Sequence, residues 1–204
     1  IRQNSLVQNF FKNLLFFLFA TFPIAIILGN LLINLYIFLI GLAYLVFHAD
    51  KKIFSNKTFL ILIFLFISLL VNLKFSNNFD LSYPRVVKFF FVIFFILSFE
   101  YLINLNNDYD NKIYKFWFIL VVIFIIDLLV EFFLGQNLLG MKSYIPGRLA
   151  GVFDDELVGG YFLFGFALIS FCFFKKNITG NFLILLFIYF VIIFVSLAIG
   201  ERSN

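Results

Sequence analysis

The sequence predicts an all-α protein that crosses a lipid bilayer about seven times as a polytopic helical bundle. Hydrophobic residues make up 64% of the 204 residues, charged residues only 13%, and the mean hydropathy is +1.09. A globule of this length cannot hide so much apolar surface in one core, so lipid must solvate much of it. A helix needs about 20 apolar residues to cross a bilayer core of about 30 Å, and such windows recur throughout the chain.

The predicted spans follow one another with short polar connections and together form a single transmembrane domain over residues 1–204. Only Gly29 and Asn30 separate the first two spans, so we expect a tight helical hairpin there. Pro84 suits a first helical turn and predicts the start of the fourth span. The seven windows cover about residues 10–29, 31–47, 58–73, 84–103, 114–134, 157–174 and 182–199.

The basic residues predict the orientation of these spans. With a cytoplasmic N-terminus, nine of the fifteen Lys and Arg residues lie on the cytoplasmic side: Arg2, Lys12, Lys51, Lys52, Lys57, Lys112, Lys115, Lys175 and Lys176. The other six lie outside: Lys74, Arg85, Lys88, Lys142, Arg148 and Arg202. Because cytoplasmic loops carry the excess of positive charge, we expect the N-terminus inside.

Several classes of function are excluded by composition. A single cysteine, Cys172, and a single histidine, His48, cannot form a disulfide framework or a histidine-rich zinc site. The net charge of +4 comes from short segments between apolar runs, where it sets orientation, so we expect no nucleic-acid partner. We also expect no metal and no cofactor. Because the chain begins at Ile1 and ends just after an apolar run, we expect a piece of a longer protein.

Three arginines near predicted helix ends, Arg85, Arg148 and Arg202, fall on the outer side. A guanidinium group stays charged and offers a planar fork of donors that matches phosphate oxygens two at a time. An isolated arginine at a helix end more often reaches toward a lipid headgroup. The surroundings of Arg148 are different, because four glycines and three acids occupy residues 147–161. Such a loop is too polar and too glycine-rich to be a simple spacer.

Carboxylates in and after the fifth span are the second group of candidates. Asp127 and Glu131 lie four residues apart and therefore share one helix face. A carboxylate at a span centre costs about 2.5–3.5 kcal/mol on insertion scales, so it usually faces protein or water. We expect Glu131 to be solvated near the outer end, and Asp127 to be either a hydrogen-bonded helix contact or a functional group. The acids at 154–156, Glu156 among them, either complement the dipole of the sixth helix or bind substrate.

Three stretches resemble the O-antigen ligase and O-antigen polymerase superfamily. They are Gly-Gln-Asn-Leu-Leu-Gly at 135–140, Arg-Leu-Ala-Gly-Val-Phe at 148–153 with Asp-Glu at 155–156, and Gly-Glu-Arg-Ser at 200–203. In that family, an arginine-x-x-glycine-x-phenylalanine stretch precedes one span and a glycine-x-arginine stretch follows the next. Asp127 is also similar to the family pattern. The resemblance covers mainly residues 120–204, while the earlier spans agree only in number and spacing.

The resemblance implies a metal-independent glycosyltransferase at the periplasmic face of the bacterial inner membrane. Its donor would be a glycan linked to undecaprenyl pyrophosphate, and its acceptor a sugar hydroxyl on lipid A-core or on another lipid-linked glycan. Arg148 and Arg202 would be catalytic, stabilising the pyrophosphate as it leaves. Substrate binding would fall to Arg85, Lys88, Glu156 and Asp127. The general base would come from a later outer loop beyond Asn204, so we expect residues 1–204 alone to be inactive.

Two other classes of membrane protein remain open as alternatives. A multi-pass transporter often has internal repeats and spans broken near the midplane, whereas the polar residues here gather at the outer ends of the spans. A non-catalytic membrane subunit would use the loop around Arg148 as a docking surface. That reading predicts that Arg148→Ala leaves glycan transfer unchanged.

Overall fold

The structure, a computed structural model, describes residues 2–48, 56–105, 107–143, 148–153, 159–167 and 182–199. These residues form helices and connecting turns and contain no β-strand, which confirms the all-α prediction for the described part of the chain. The helices are α1 (Arg2–Ile27), α2 (Asn30–His48), α3 (Lys57–Lys74), α4 (Phe79–Leu105), α5 (Asn107–Leu134), α6 (159–167) and α7 (Phe182–Ile199). A 3-10 turn, Gly151–Phe153, lies between α5 and α6.

Five of the described helices are long and apolar enough to cross a membrane. Their candidate spans are Asn9–Ile27, Asn30–Phe47, Lys57–Lys74, Phe79–Leu105 and Tyr109–Leu134. At most 39% of each span is buried within the protein, so most of this apolar surface is available to lipid. The expected number of about seven spans is not confirmed. The described apolar part of α7 is Leu186–Leu197, and most of the predicted sixth span lies outside the described residues.

The first two helices form the predicted hairpin. α1 ends at Ile27 and α2 begins at Asn30, with Gly29 at a φ of 104° in a conformation that glycine adopts without steric cost. The Gly29 N–H donates to Ile26 O at 3.2 Å, which closes the turn. The hydroxyls of Thr21 and Tyr36 lie 3.2 Å apart and join the two helices.

The predicted start of α4 at Pro84 was wrong, because the helix begins five residues earlier at Phe79. The Ser82 N–H donates to Asn78 O at 3.1 Å and forms the first turn ahead of the proline. Since Pro84 has no N–H, the carbonyl of Asp80 lacks its usual helical donor. That residue is exposed in the first turn, where solvent can satisfy the carbonyl.

The chain forms two compact units, Ile1–Asp110 and Asn111–Asn204. The prediction of a single transmembrane domain stays a prediction. In the first unit, α4 contacts α1, α2 and α3 and therefore lies at its centre. One buried hydrophobic cluster of this unit comprises Tyr44, Phe59, Ile93, Phe94 and Leu97.

Side-chain hydrogen bonds reinforce this core at two places. Asn56 caps α3 through its Oδ1 atom, which accepts from Thr58 N at 2.8 Å, and its Nδ2 atom donates to Glu100 at 3.3 Å. Ser98 is fully buried, and its hydroxyl donates to Phe94 O at 2.6 Å within α4. These polar groups thereby find partners inside the protein, as a lipid environment requires.

Gly41 marks the closest approach of α2 to α4. A Cβ atom at this position would lie 3.1 Å from the carbonyl oxygen of Phe91 and 3.5 Å from Cβ of Phe94. Small residues let transmembrane helices approach closely enough for their backbones to touch. The absence of a side chain at Gly41 therefore sets the distance between the two helices.

We expect Gly41→Val to destabilise the protein by about 1–3 kcal/mol, because the added methyl groups overpack against the α4 backbone. Gly165→Val is the matched control, since a Cβ at Gly165 meets nothing within 4 Å. Thermal unfolding of the detergent-solubilised protein measures both. Equal stability of the two variants would contradict the close α2–α4 contact.

Candidate functional site

The second unit places its polar groups at the C-terminal end of α5. The helix ends at Leu134, and Gly135 follows with a φ of 71°. The Gly135 N–H donates to Glu131 O at 2.8 Å, which is the usual left-handed glycine cap of a helix. The chain then turns back and covers the helix end with two loops, 135–141 and 148–153.

Asp127 holds the first of these loops. It lies seven residues before the end of α5, roughly 10 Å along the helix axis, and is 2% exposed. Its Oδ1 atom accepts from Leu138 N at 2.9 Å. Within the described part of the chain, its Oδ2 atom has no hydrogen-bond partner. The structure therefore shows a hydrogen-bonded contact for Asp127, while its predicted role in substrate binding stays a prediction.

Glu131 holds the second loop and is not solvated as expected. Only 4% of this residue is exposed, because the loop at 148–153 folds over the end of α5. Its Oε2 atom accepts from Ala150 N at 3.1 Å and from Gly151 N at 2.7 Å, and Oε1 lies 3.3 Å from Ala150 N. Because Glu131 lies near a helix end, the sequence predicted that its carboxylate contacts solvent. Two backbone N–H groups solvate the carboxylate instead.

Asn137 joins the two loops and was missed as a site residue. It is 3% exposed, and its Nδ2 atom donates to Gly151 O at 2.7 Å. Its Oδ1 atom accepts from Leu139 N at 3.0 Å and Met141 N at 2.7 Å. The signal was available in the sequence, because an asparagine between glycines often replaces backbone hydrogen bonds in a turn. We name Asp127, Glu131, Asn137, Ala150 and Gly151 together the α5 clasp.

Gly151 is the point where the clasp is tightest. Its φ is 59°, and a Cβ atom there would lie 2.9 Å from Phe124 Cε2 and 3.1 Å from Leu128 Cδ2. Only glycine combines this backbone conformation with this lack of space. Just beyond it, the ring of Phe153 packs against Phe124 and Phe162 at centroid distances of 5.5 and 5.4 Å. Aromatic packing therefore holds the loop in place as well as hydrogen bonds.

Arg148 lies on the loop that the clasp holds. It is half-buried and precedes Ala150, whose N–H bonds to Glu131, by two residues. The structure therefore brings Arg148 and Asp127, both predicted site residues, into one unit at the end of one helix. The catalytic role of Arg148 stays a prediction.

The remaining predicted site residues lie elsewhere. Arg85 and Lys88 are exposed in the first unit, three residues apart on α4 and hence on one helix face. Lys88 lines a groove of about 490 Å³ that also contacts Asn34 on α2. Arg202 and Glu156 lie outside the described residues, as does the whole stretch at 200–203.

An apolar cavity of about 160 Å³ lies between α5, α6 and α7 of the second unit. Its lining residues carry only hydrocarbon side chains, including Val122 and Ile126 from α5, Ala167 from α6 and Val191 from α7. Ile126 directly precedes Asp127 in the sequence. Successive helix residues point about 100° apart, so the cavity lining and the clasp carboxylates occupy different faces of α5.

Within the described residues, no three His, Cys, Asp or Glu side chains come together to hold a metal ion. Comparisons with protein-family models, with characterised proteins and with solved structures gave no match. The resemblance to the O-antigen ligase and polymerase superfamily therefore depends on the quoted stretches alone.

We expect Gly151→Ala to destabilise the second unit more than Gly140→Ala does. Both glycines have positive φ, which costs an alanine about 1–2 kcal/mol, but only Gly151 would also press its Cβ into α5. Thermal unfolding in detergent measures the difference. Because of overpacking, we expect Gly151→Ala to lose about 1–3 kcal/mol more stability than Gly140→Ala. Equal losses would show that the loop does not contact α5 closely.

Asn137→Ala removes one donor and one acceptor that serve three backbone groups. Because the residue is buried, its removal leaves backbone groups without a hydrogen-bond partner. We expect each of these groups that water cannot reach to cost about 1–3 kcal/mol of stability. Gln136→Ala, an exposed amide one residue earlier, is the control and should change little. Limited proteolysis of residues 135–153 in the two variants would distinguish them, and equal cleavage would argue against the clasp.

Proposed function

We propose that this protein is a membrane glycosyltransferase of the O-antigen ligase and polymerase type. It transfers a glycan from undecaprenyl pyrophosphate to a sugar hydroxyl at the periplasmic face of the bacterial inner membrane, with its N-terminus in the cytoplasm. The observation that carries this proposal is the position of Arg148 on a loop that a buried carboxylate, Glu131, binds to the end of a candidate span.

The proposed reaction breaks the bond between the first sugar carbon and the pyrophosphate oxygen, and that oxygen keeps the electron pair. The acceptor hydroxyl forms the new bond to the same carbon and gives its proton to a base. Negative charge therefore develops on the pyrophosphate, and a cation held in place beforehand stabilises it without reorganisation. Arg148 supplies that cation through a fork that contacts two phosphate oxygens, and Arg202 supplies a second.

The other predicted residues bind substrates in this proposal. Arg85 and Lys88 attract the anionic donor, and Glu156 contacts the acceptor. Asp127 is retained as a substrate-binding candidate, although its hydrogen bond to Leu138 supports a role in holding the loop.

The apolar cavity on α5, the helix that also carries the clasp carboxylates, supports a lipid-linked donor. Such a donor joins a long hydrocarbon chain to a charged pyrophosphate, so its site needs an apolar part next to a cationic part. The cavity between α5, α6 and α7 supplies the first, and the loop with Arg148 supplies the second. Burial of each methylene group in an apolar site is worth about 0.8 kcal/mol.

A transporter is the second candidate, and one observation favours it. Asp127 is buried within a candidate span and, among the described residues, its Oδ2 atom accepts no hydrogen bond. Carboxylates within spans often belong to ion or proton pathways. A transporter would need Asp127 for activity and would tolerate substitution of Arg148.

We expect Arg148→Lys to lower glycan transfer by about 10²-fold, since lysine keeps the charge but loses the bidentate fork. The full-length gene carrying this change is expressed in cells that lack their own transfer enzyme, and glycan attached to lipid A-core is measured on gels. Lys142→Arg, at an exposed position before the loop, is the control and should transfer normally. Normal transfer by an inserted Arg148→Lys protein would refute the proposal.

A further inference from the structure

We infer that Glu131 is a positioning residue for Arg148: its buried carboxylate fixes the backbone of residues 150 and 151 and thereby the place from which the arginine extends. This inference rests on the proposed function, and it assigns a task to a residue that the sequence placed in solvent. It is argued from the hydrogen bonds of the clasp, from chain geometry and from the charge of the group.

The carboxylate contacts two consecutive backbone donors. The N–H groups of Ala150 and Gly151 converge on Oε2 at 3.1 and 2.7 Å. Successive N–H groups that point to one spot form an anion-binding concavity, and the positive φ of Gly151 helps to orient them. Hydrogen bonds to an ionised acceptor are about twice as strong as neutral ones, so this contact holds the loop more firmly than an amide would.

The chain between Glu131's partners and Arg148 is short. Two residues span at most about 7 Å, so the Cα atom of Arg148 stays close to that of Ala150 wherever the intervening backbone turns. Asn137 fixes the far side of the same segment through Gly151 O at 2.7 Å. Gly151 is therefore restrained through both its N–H and its carbonyl group, three residues after Arg148.

The charge of Glu131 explains why the loop stays in place. A neutral residue could hold a loop at a lower desolvation cost, as Asn137 does in the same clasp. A buried carboxylate is different, because departure of the loop would leave the charge without donors in an apolar environment. Glu131 therefore holds its loop through two N–H groups, whereas Asp127 binds its own loop through a single N–H.

The first test measures the loop directly in the full-length protein. Leu149→Cys is introduced with Cys172→Ser, which removes the one cysteine of residues 1–204, and with any cysteine outside these residues also replaced by serine; modification by a soluble maleimide is timed. We expect Glu131→Gln to raise the modification rate about tenfold, because charge-assisted hydrogen bonds are lost. Glu100→Gln is the matched control on α4 and should leave the rate unchanged. An unchanged rate in Glu131→Gln would overturn the inference.

The second test is a double-mutant cycle on glycan transfer by purified full-length protein in nanodiscs. The donor is undecaprenyl-pyrophosphate-linked glycan extracted from cells that lack the transfer enzyme. We expect Glu131→Gln to lower kcat about tenfold with little change in the donor KM, and to cause no further loss once Arg148→Lys is present. A merely structural role would give additive losses and would overturn the inference while leaving the proposed function intact.

Failure of the proposed function has a separate signature. If Arg148→Lys alone leaves transfer unchanged, Arg148 does not act on the donor, and neither the proposed role of Arg148 nor its positioning by Glu131 survives. A raised maleimide rate in Glu131→Gln would then show that the contact holds the loop for a different purpose.

Discussion

Two carboxylates buried near the end of a membrane helix must obtain their solvation from the protein. Asp127 and Glu131 meet this requirement with backbone N–H groups from two different loops. A loop that supplies those donors cannot leave without stranding a buried carboxyl group, which lipid does not solvate. The conformation of residues 135–153, as far as it is described, therefore follows from the need to satisfy α5.

This constraint produces the combination of features that a site for a lipid-linked substrate requires. The clasp holds Arg148 at the end of a span, and an apolar cavity lies beside the same helix. A flexible loop would have to order itself around each substrate, whereas a loop that is already held loses little entropy on binding. Rigidity at Gly151 and the presence of Arg148 three residues earlier are thus parts of one arrangement.

The sequence predicted the fold class and the hairpin at Gly29, because hydrophobic windows and a glycine in a short turn are local signals. The predictions failed mainly for residues whose hydrogen-bond partners lie far away along the chain. Glu131 was expected in solvent, yet a loop 19 residues later covers it. Asn137 received no role although two of its partners are local, because its link between the two loops depends on the distant Gly151. Pro84 was misplaced because a preceding polar segment extends α4 beyond the apolar window.

Amide hydrogen exchange at Ala150 and Gly151, in full-length protein reconstituted in nanodiscs, tests the clasp most directly. Loop amides normally exchange quickly, because nothing shields their N–H groups from water. If Glu131 binds them as described, both should exchange at rates typical of helical amides, and Glu131→Gln should accelerate both. Fast exchange of these two amides in the unmodified protein would contradict the account, since it would mean that the loop is not held on α5.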